Sequence, residues 1–368
     1  MHLRILICIV LSCLLIGNAS GQDIDRRLQK LQWNGQDVST FARVITIEAE
    51  SDREKLELIY QWIVHHIRYD YEALHAENWR INHNSKDILT RGKALCWGYS
   101  SLLQEFLHEV EITSVIVSGY SRGLSTSRQD PEEPDHAWNA VQFGEVWILM
   151  DVTWDSGLYH AGGGFGDDVV SYFMMPPDEF VRTHVPARPM WQLLPCHLTM
   201  DQFNLANFEP DSTMCISFKD SIASFLTLNK IAQLLDEAEG QYRFHPTEKN
   251  LENLCHASMD FAVYLKEQGD SLSGEGMDGE AVKSYQSALS YFDKAKVGID
   301  PFDWQNEAYA FCHLNLAQSL YRIKEHSDLS DVIFHLKSAR TLLEQINTPS
   351  SMVKDAIQFI GQNLEILE

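Results

Sequence analysis

Three residues of the types needed for nucleophilic catalysis by cysteine occur in the first half of the chain: Cys96, His136 and Asp151. Such catalysis needs a thiol, a nearby imidazole that takes and returns a proton, and a group that orients the imidazole. Cys96 lies in the stretch ALCWGYSSLL, at the predicted start of a helix, where free N–H groups and the helix dipole favour negative charge. By itself, this stretch better suits a small buried residue at a helix–sheet junction.

The spacing of His136 and Asp151 favours the catalytic interpretation. If Phe143 and Gly144 form a two-residue hairpin loop, His136 lies directly opposite Asp151 on the next strand. Directly opposed residues point to the same sheet face, with Cβ atoms about 4.5 to 5.5 Å apart. This register predicts a hydrogen-bonded imidazole–carboxylate pair, and a loop one residue longer would break it.

Hydrophobic periodicity predicts the elements that position these residues. Apolar side chains at helical spacing predict two helices, and alternating or β-branched runs then predict three strands. The helices cover 52–67 and 101–111, with the second one starting near Cys96, and the strands cover 112–120, 135–143 and 145–154. A helix followed by an antiparallel meander predicts an α+β fold in which the cysteine-bearing helix packs on the sheet.

The segment 157–195 is rich in glycine and proline, which predicts little regular structure. Its GGGFG run at 162–166 is interpreted as a mobile loop at the edge of the cleft. Beyond about Phe218 the pattern changes to long amphipathic stretches that predict an all-helical domain. These stretches are 219–239, 246–268, 279–297, 301–324, 329–346 and 352–367, with turn signals between them, one of them at 269–279. Small and aromatic residues at 281–295 are slightly similar to tetratricopeptide repeats, although no 34-residue period recurs.

The N-terminus predicts export. Arg4 precedes an apolar run at 5–16, and small residues at Ala19 and Gly21 suit cleavage after a leader of residues 1–21. Lipid attachment at Cys13 is the less favoured alternative because it would cut the apolar run in half. Without the leader, 28 basic residues stand against 52 acidic ones, a net charge of −24. Such a charge repels nucleic acid and anionic membranes, so neither is expected as a partner.

Five cysteines remain after removal of the leader: Cys96, Cys196, Cys215, Cys255 and Cys312. Five is an odd and sparse number, so a disulfide scaffold is not predicted, although an exported chain could pair some of the last four. None of the five has a CxxC or other zinc-site spacing. Neither a metal nor a cofactor is therefore expected.

The same residues carry a resemblance to a known family. The motifs GKALCWGYSSLL, DHAWNAV and WILMDVTWDSG, in this order, resemble the transglutaminase-like superfamily in its bacterial and kyphoscoliosis-peptidase-like branch. In that family a cysteine at a helix start and a His and Asp on adjacent strands form a papain-like triad. The resemblance implies a papain-like or transglutaminase-like core in which Cys96, His136 and Asp151 are catalytic.

The resemblance extends to QWIVHHIRYD before the cysteine and to YFMMPPDEF and HVPARPMWQLL after the core, so that about 52–203 is covered. Leu95 departs from the glutamine that animal transglutaminases have at this position, and nothing resembles their β-domains or calcium-binding segments. Calcium-dependent crosslinking is therefore not expected. The resemblance implies acyl transfer from a peptide or other amide through a Cys96 thioester, to water or to an amine.

The domains are thus predicted as a catalytic domain at 22–210 and a helical domain at 218–368. Four aromatic residues that flank the catalytic residues are candidates for the acyl-binding cleft, with ordinary core packing as the alternative for each: Trp97, Tyr99, Trp138 and Trp154. Two other functions stay open. One is a catalytically silent scaffold whose helices bind a protein partner; the other is a Zn²⁺ site formed by Cys96, His136 and Asp151.

Overall fold

The structure is a computed structural model, and it describes residues 28–76, 84–122, 131–158, 160–161, 171–209, 211–323 and 329–368. The expected leader at 1–21 and the glycine-rich run at 162–166 lie outside the described residues. The chain divides into two compact units between Phe218 and Lys219. Each unit contains a hydrophobic core of its own.

The N-terminal unit combines helices with β-structure. Its helices are α1 Val38–Ile45, α2 Asp52–His66, α3 Tyr71–His75, α4 Ser85–Arg91, α5 Cys96–Glu109, α6 Val152–Leu158, α7 Pro177–Phe180 and α8 Met200–Asn204. Its strands are β1 Arg68–Tyr69, β2 Lys93–Ala94, β3 Ser114–Ser121, β4 His136–Phe143, β5 Val146–Met150 and β6 His184–Pro186. Strands β1 and β2 pair in parallel, whereas the others form a four-stranded antiparallel sheet in the order β5-β4-β3-β6.

Helix α5 packs on strands β3 and β4, which confirms the predicted α+β core with the cysteine-bearing helix on an antiparallel sheet. The contact is explained by one apolar face of the helix, on which Leu102, Leu103, Phe106 and Leu107 are fully buried. Complete burial of such a side chain contributes about 1.5 to 3 kcal/mol. This face fixes the side of the helix on which Cys96 meets the sheet.

The hairpin between β4 and β5 has a different register from the predicted one. Phe143 pairs with Val146, and Gly144, with φ 63°, lies in the loop. Glycine accepts this left-handed conformation at little cost, which explains why the turn forms one residue later. His136 is therefore diagonal to Asp151 rather than opposite to it. A shift of two positions preserves the alternation of side chains, so both residues still point to one face.

The predicted strand 145–154 is also wrong at its end. Strand β5 stops at Met150, and helix α6 begins at Val152. Asp151 is the reason, because its Oδ1 accepts hydrogen bonds from the backbone N–H groups of Thr153 at 2.8 Å and Trp154 at 3.2 Å. This is the usual arrangement of a residue that caps a helix N-terminus. Trp154 thus lies on a helix and not on a strand.

The segment predicted to be irregular, 157–195, contributes the short strand β6, which pairs with β3 at the edge of the sheet. Gly119 makes this pairing possible. A Cβ at this position would lie 2.5 Å from the backbone oxygen of Val185 and 2.2 Å from the Trp138 ring. Only glycine allows strand β6 and the Trp138 indole to approach so closely.

The C-terminal unit is helical, which confirms the prediction for this half. Its helices are α9 Lys219–Thr227, α10 Lys230–Phe244, α11 Glu248–Gly274, α12 Asp278–Ala295, α13 Asp303–Ile323, α14 Ser330–Leu343 and α15 Ser351–Leu367. Consecutive helices pack on one another. A tetratricopeptide-like repeat stays a prediction.

Two helix boundaries in this unit were predicted wrongly. The expected helix 219–239 is two helices, because the Asn229 side chain accepts from the Ala232 N–H and starts a new one. The expected turn at 269–279 begins later, since α11 continues to Gly274. Gly269 is buried within this helix, and a Cβ there would lie 2.6 Å from the Tyr285 ring. Its small size permits close packing of two helices.

No helix in the described ranges is long and apolar enough to cross a membrane.

Cys196 and Cys215 form a disulfide, whereas Cys96, Cys255 and Cys312 are free. Of the three free thiols, those of Cys255 and Cys312 belong to buried residues and Cys96 is half-buried. Cys96 is therefore the free cysteine that solvent can reach most readily in this part of the chain.

Candidate active site

Cys96 is the first residue of helix α5. The preceding Leu95 is the N-cap, and its side chain makes no capping hydrogen bond. The backbone N–H groups of the first turn of a helix have no partner within the helix, so they favour negative charge beside the Cys96 sulfur. The Ser100 hydroxyl donates to the Cys96 carbonyl oxygen at 3.1 Å and helps to fix this first turn.

His136 lies between Cys96 and Asp151. Its Nε2 is 2.7 Å from Asp151 Oδ2, and the proximity of Cys96 is one of the causes that raise the pKa of the same imidazole. Because Nε2 is paired with Asp151, Nδ1 is the ring nitrogen that remains for a second partner. The structure therefore brings together the three residues predicted to be catalytic.

The pair is strongly coupled electrostatically. Burial disfavours the imidazolium, but the Asp151 carboxylate and the contact with Cys96 outweigh this cost and raise the pKa of His136 to about 10. Burial likewise opposes ionisation of Asp151, yet His136 and the hydrogen bonds of a second histidine, His184, hold the pKa of this carboxyl well below its ordinary value. The pair is thus an imidazolium and a carboxylate at neutral pH.

His184 is the residue that the sequence analysis missed. Its Nε2 lies 3.1 Å from the same Asp151 Oδ2 that His136 contacts, and its side chain is fully buried. It is the first residue of strand β6. The signal in the sequence is the stretch HVPARPMWQLL, which resembles the family and whose first residue is His184.

Tyr69 is a second neighbour that was not predicted. Burial, followed by the proximity of Cys96, raises the pKa of its hydroxyl to about 12. Its ring packs edge-to-face against Tyr71, with centroids 5.1 Å apart. Tyr71 is 65% exposed, so this aromatic pair extends from Cys96 to the surface.

The four aromatic residues predicted to line the cleft fall into two groups. Trp97 is 40% exposed, and the half-buried Trp154 packs its ring against His136 with centroids 5.9 Å apart. Tyr99 and Trp138 are fully buried. Such burial is typical of core packing, the stated alternative for each, and a role of these two residues in the cleft stays a prediction.

Two side chains, those of Asn139 and Tyr99, make hydrogen bonds that hold the helix of Cys96 in place. The Asn139 amide on β4 donates from Nδ2 to the Ser100 carbonyl oxygen at 3.0 Å. The Tyr99 hydroxyl donates to the Ile67 carbonyl oxygen at 2.7 Å and contacts the Ser156 hydroxyl on α6 at 2.9 Å. These contacts tie the helix to the strand that carries His136 and to the helix that follows Asp151.

A second buried carboxylate lies behind the site. Asp155 Oδ2 accepts from the Tyr60 hydroxyl at 2.7 Å and from the Ser171 hydroxyl at 2.9 Å. Burial raises the pKa of Asp155 to about 6. Tyr60 also lies 2.9 Å from the Asp151 backbone oxygen, so this group supports the turn that presents Asp151.

One group of potential metal ligands occurs among the described residues. His136, Asp151 and His184 place their ligand atoms within 4.8 Å of one another. Cys96 does not belong to this group, so the geometry does not match a zinc site with Cys96 as a ligand. The three atoms are instead joined by hydrogen bonds of 2.7 and 3.1 Å.

Comparison with known proteins agrees with this fold. The family model of the transglutaminase-like superfamily matches residues 39–152. The chain is 37% identical to mouse (Mus musculus) kyphoscoliosis peptidase over 160 residues, which cover 42% of this chain and 24% of that protein. It is 35% identical to the human (Homo sapiens) kyphoscoliosis peptidase over 167 residues, with the same coverage. The chain thus spans about a quarter of the length of these relatives.

A solved structure described as a crystal structure of a TGase is 17% identical and covers 42% of this chain and 34% of its own chain. Its TM-score of 0.25 is too low to carry an argument about the fold. The family match includes the cysteine-bearing helix α5 and strands β1 to β5. Residues 39–152 therefore match a domain of the transglutaminase-like superfamily.

Proposed function

We propose that the N-terminal unit is an acyl-transfer enzyme that acts on peptide or other amide bonds through a thioester on Cys96. The observation that carries this proposal is the position of His136, which has Nε2 at 2.7 Å from Asp151 Oδ2 and lies near enough to Cys96 for this residue to raise the pKa of the imidazole. A cysteine with an oriented imidazole at a helix N-terminus has what nucleophilic catalysis requires. The transglutaminase-like family supports the same chemistry.

In the first half of the reaction, Cys96 acts as a thiolate whose charge is balanced by the protonated His136, and its sulfur bonds to the amide carbonyl carbon. The negative charge that develops on the carbonyl oxygen is stabilised by backbone N–H groups in the first turn of α5, including that of Cys96. The C–N bond then breaks, and His136 gives its proton to the departing amine. Asp151 keeps the imidazole oriented and stabilises its charged form.

In the second half, water or an amine attacks the thioester carbonyl carbon and gives a proton to His136. The C–S bond breaks, and the Cys96 sulfur leaves as a thiolate that pairs again with the protonated imidazole. Trp97 and Trp154, which flank the site, are proposed to contact the acyl part of the substrate. The relatives named as peptidases favour water as the acceptor and a peptide as the substrate.

Alkylation of the full chain with iodoacetamide near pH 6, followed by peptide mapping, tests the activated thiol. We expect Cys96 to react several-fold faster than a free thiol, and at least about tenfold more slowly in His136→Ala. The buried Cys255 and Cys312 are internal controls, and His108→Ala, on the exposed face of the same helix, is the matched control. A Cys96 rate equal to that of a free thiol contradicts the proposal.

Turnover is tested separately with a mixture of peptides and a fluorescent primary amine. Release of new N-termini indicates hydrolysis, incorporation of the amine indicates transfer, and both should be lost in Cys96→Ala. An acyl-enzyme that is released by hydroxylamine would identify the thioester directly. A folded wild-type chain that forms no acyl-enzyme with any peptide would instead favour the scaffold function, with a protein partner bound by the helical unit.

We further propose that the protein is exported. The apolar run at 5–16 supports this, and so does the Cys196–Cys215 disulfide, because such bonds persist mainly in oxidising compartments. The test is expression in a cell with an export pathway, followed by mass measurement of the secreted protein. We expect cleavage near Gly21 and two cysteines protected from alkylation; a full-length, fully reduced intracellular protein would contradict export.

A further inference from the structure

We propose that His184 is a positioning residue of the acyl-transfer site, a second and neutral imidazole that holds the Asp151 carboxylate in place for His136. The inference rests on the proposed function and deepens it. It assigns a role to a residue outside the three that carry the chemistry, 32 residues beyond the end of the family match.

Asp151 Oδ2 is shared by two imidazoles. His136 Nε2 contacts it at 2.7 Å, and His184 Nε2 contacts it at 3.1 Å. The other carboxylate oxygen, Oδ1, accepts from the backbone N–H groups of Thr153 and Trp154. Asp151 is fully buried and accepts four hydrogen bonds, so both its orientation and its negative charge depend on these donors.

The hydrogen bonds fix the tautomer of His184. An ionised carboxylate only accepts hydrogen bonds, so His184 Nε2 must carry the hydrogen that lies between the two residues. Nδ1 of the neutral ring is then an acceptor, and the Thr183 hydroxyl donates to it at 2.8 Å. The Tyr172 hydroxyl, 3.3 Å from Thr183 Oγ1, donates to that oxygen in turn. A relay of donors thus runs from Tyr172 to Asp151.

The surroundings keep His184 neutral. Its ring is enclosed by the rings of five residues: Trp154 at 4.4 Å, Phe180 at 4.6 Å, Tyr172 at 5.1 Å, Trp138 at 5.2 Å and His136 at 5.4 Å. Burial is the main cause that lowers the pKa of His184, and the charge of His136 acts in the same direction. Asp151 and Asp135 are the nearby carboxylates that oppose this.

The different surroundings of the two imidazoles give them different roles. His184 is fully buried and both of its ring nitrogens already have partners, so it does not exchange protons with a substrate. His136 is also buried, but Cys96 is near enough to raise the pKa of its imidazole, and it takes part in proton transfer. A residue with only a packing role would need no hydrogen-bonded nitrogen atoms, whereas both ring nitrogens of His184 have a hydrogen-bond partner. We infer that its Nε2–H aligns Oδ2 with His136 and preserves the imidazolium–carboxylate pair.

Three variants of the full chain test this role. His184→Phe fills the aromatic enclosure but removes the donor to Asp151. His184→Gln keeps an amide N–H near the position of Nε2 and is the conservative rescue. Thr183→Val keeps the shape of the neighbouring residue but removes the hydroxyl that fixes the tautomer. It tests the same role if His184→Phe does not fold. His313→Phe is the matched control for replacement of a buried histidine outside this unit.

A hydrogen bond to a charged group changes an equilibrium by about tenfold to a hundredfold. We expect His184→Phe to lower kcat and the Cys96 alkylation rate at pH 6 by this factor, with KM changed less than threefold. The acidic limb of the alkylation profile should move to higher pH. His184→Gln should recover at least half of the loss on a logarithmic scale, and Thr183→Val should lie between wild type and His184→Phe.

Nuclear magnetic resonance of the imidazole rings separates this inference from the proposed function. If wild type forms no acyl-enzyme, but His136 loses its proton at lower pH in His184→Phe, the positioning role stands and the enzymatic function fails. If wild type turns over and folded His184→Phe matches it in kcat and in pH profile, the positioning role is overturned. Stoichiometric zinc that His184→Phe no longer holds would also overturn it.

Discussion

The Asn139 side chain donates from Nδ2 to the Ser100 carbonyl oxygen at 3.0 Å, and this contact joins the strand of His136 to the helix of Cys96. Asn139 is fully buried, and Ser100 lies one helical turn after Cys96. The distance between the sulfur and the imidazole therefore depends on a contact that involves neither residue. Such supporting contacts decide whether reacting groups are held within about 0.5 Å of a productive arrangement.

We expect Asn139→Ala to lower the free energy of unfolding by about 1 to 3 kcal/mol, because a buried hydrogen bond is lost. It should also slow Cys96 alkylation several-fold. Chemical denaturation and peptide mapping measure the two effects. Gln142→Ala, at a half-exposed position of the same strand, is the control and should change neither. An unchanged alkylation rate in Asn139→Ala would show that α5 is positioned without this contact.

The His136–Asp151 pair predicts that its contribution to stability is greatest between about pH 4 and 6.5. The pKa of His136 is raised to about 10, so its contribution is complete below pH 6.5 and is lost as the pH rises through about 10. The pKa of Asp151 is lowered, so its contribution is complete above about pH 4 and is lost as the pH falls further.

Denaturation of wild type and His136→Gln at a series of pH values measures this contribution. We expect the difference in unfolding free energy to be largest below about pH 6.5 and to shrink steadily from pH 6.5 to about 10, because over this range the folded state keeps a proton that the unfolded state has lost. A difference that does not change between pH 6.5 and 10 would mean that His136 titrates near its ordinary pKa, and that the imidazolium is not stabilised by Asp151.

Gly119→Ala should disturb the site from a distance. The added Cβ would lie 2.2 Å from the Trp138 ring and 2.5 Å from the Val185 backbone oxygen, so strand β6 must move. Overpacking of this kind costs about 1 to 3 kcal/mol. Thermal unfolding should show the loss, and Cys96 alkylation should slow because β6 carries His184.

The control for this variant is Gly157→Ala in helix α6, where an added Cβ would meet no atom within 4 Å. Alanine is favoured over glycine within a helix by about 0.5 to 1 kcal/mol, so stability should be unchanged or slightly higher. Equal melting temperatures for the two variants would show that β6 accommodates the methyl group.

The helical unit should lose stability in mild acid. His313 on α13 and His335 on α14 share a hydrogen bond between their Nδ1 atoms at 2.8 Å, which requires at least one unprotonated ring. Burial and the neighbouring His335 lower the pKa of His313 to about 4, with Lys296 acting in the same direction and Asp293 against it. Asp331 opposes the lowered pKa of His335.

Because protonation favours the unfolded state here, the stabilisation is present above pH 6.5 and is lost as the pH falls towards 4. Hydrogen exchange of the α13 and α14 backbone amides, followed by mass spectrometry at pH 7 and pH 5, measures it after correction for the intrinsic rate. We expect a smaller decrease in protection in His335→Gln. An equal decrease in both proteins would exclude the histidine pair as its cause.

The sequence by itself determined the helix that carries Cys96, the strands that follow it and the helical character of the second half of the chain. Local patterns were sufficient because periodicity records which face of a helix or strand is buried, and this placed Cys96 at a helix start. The same alternation put His136 and Asp151 on one face even though the predicted register was wrong. Successive side chains of a strand point to alternate faces of the sheet, so a shift of the register by two positions leaves each side chain on the same face.

Only the tertiary structure decided the rest. His184 reaches Asp151 through the pairing of β6 with β3, a contact between distant segments that a proline-rich sequence does not reveal. Tyr99 and Trp138 are buried because helix and sheet close over them. Gly269 reads as a turn in the sequence, yet it is a packing residue because Tyr285 lies against it. In each case the decisive neighbour is remote in sequence, so its position follows from packing and not from local propensity.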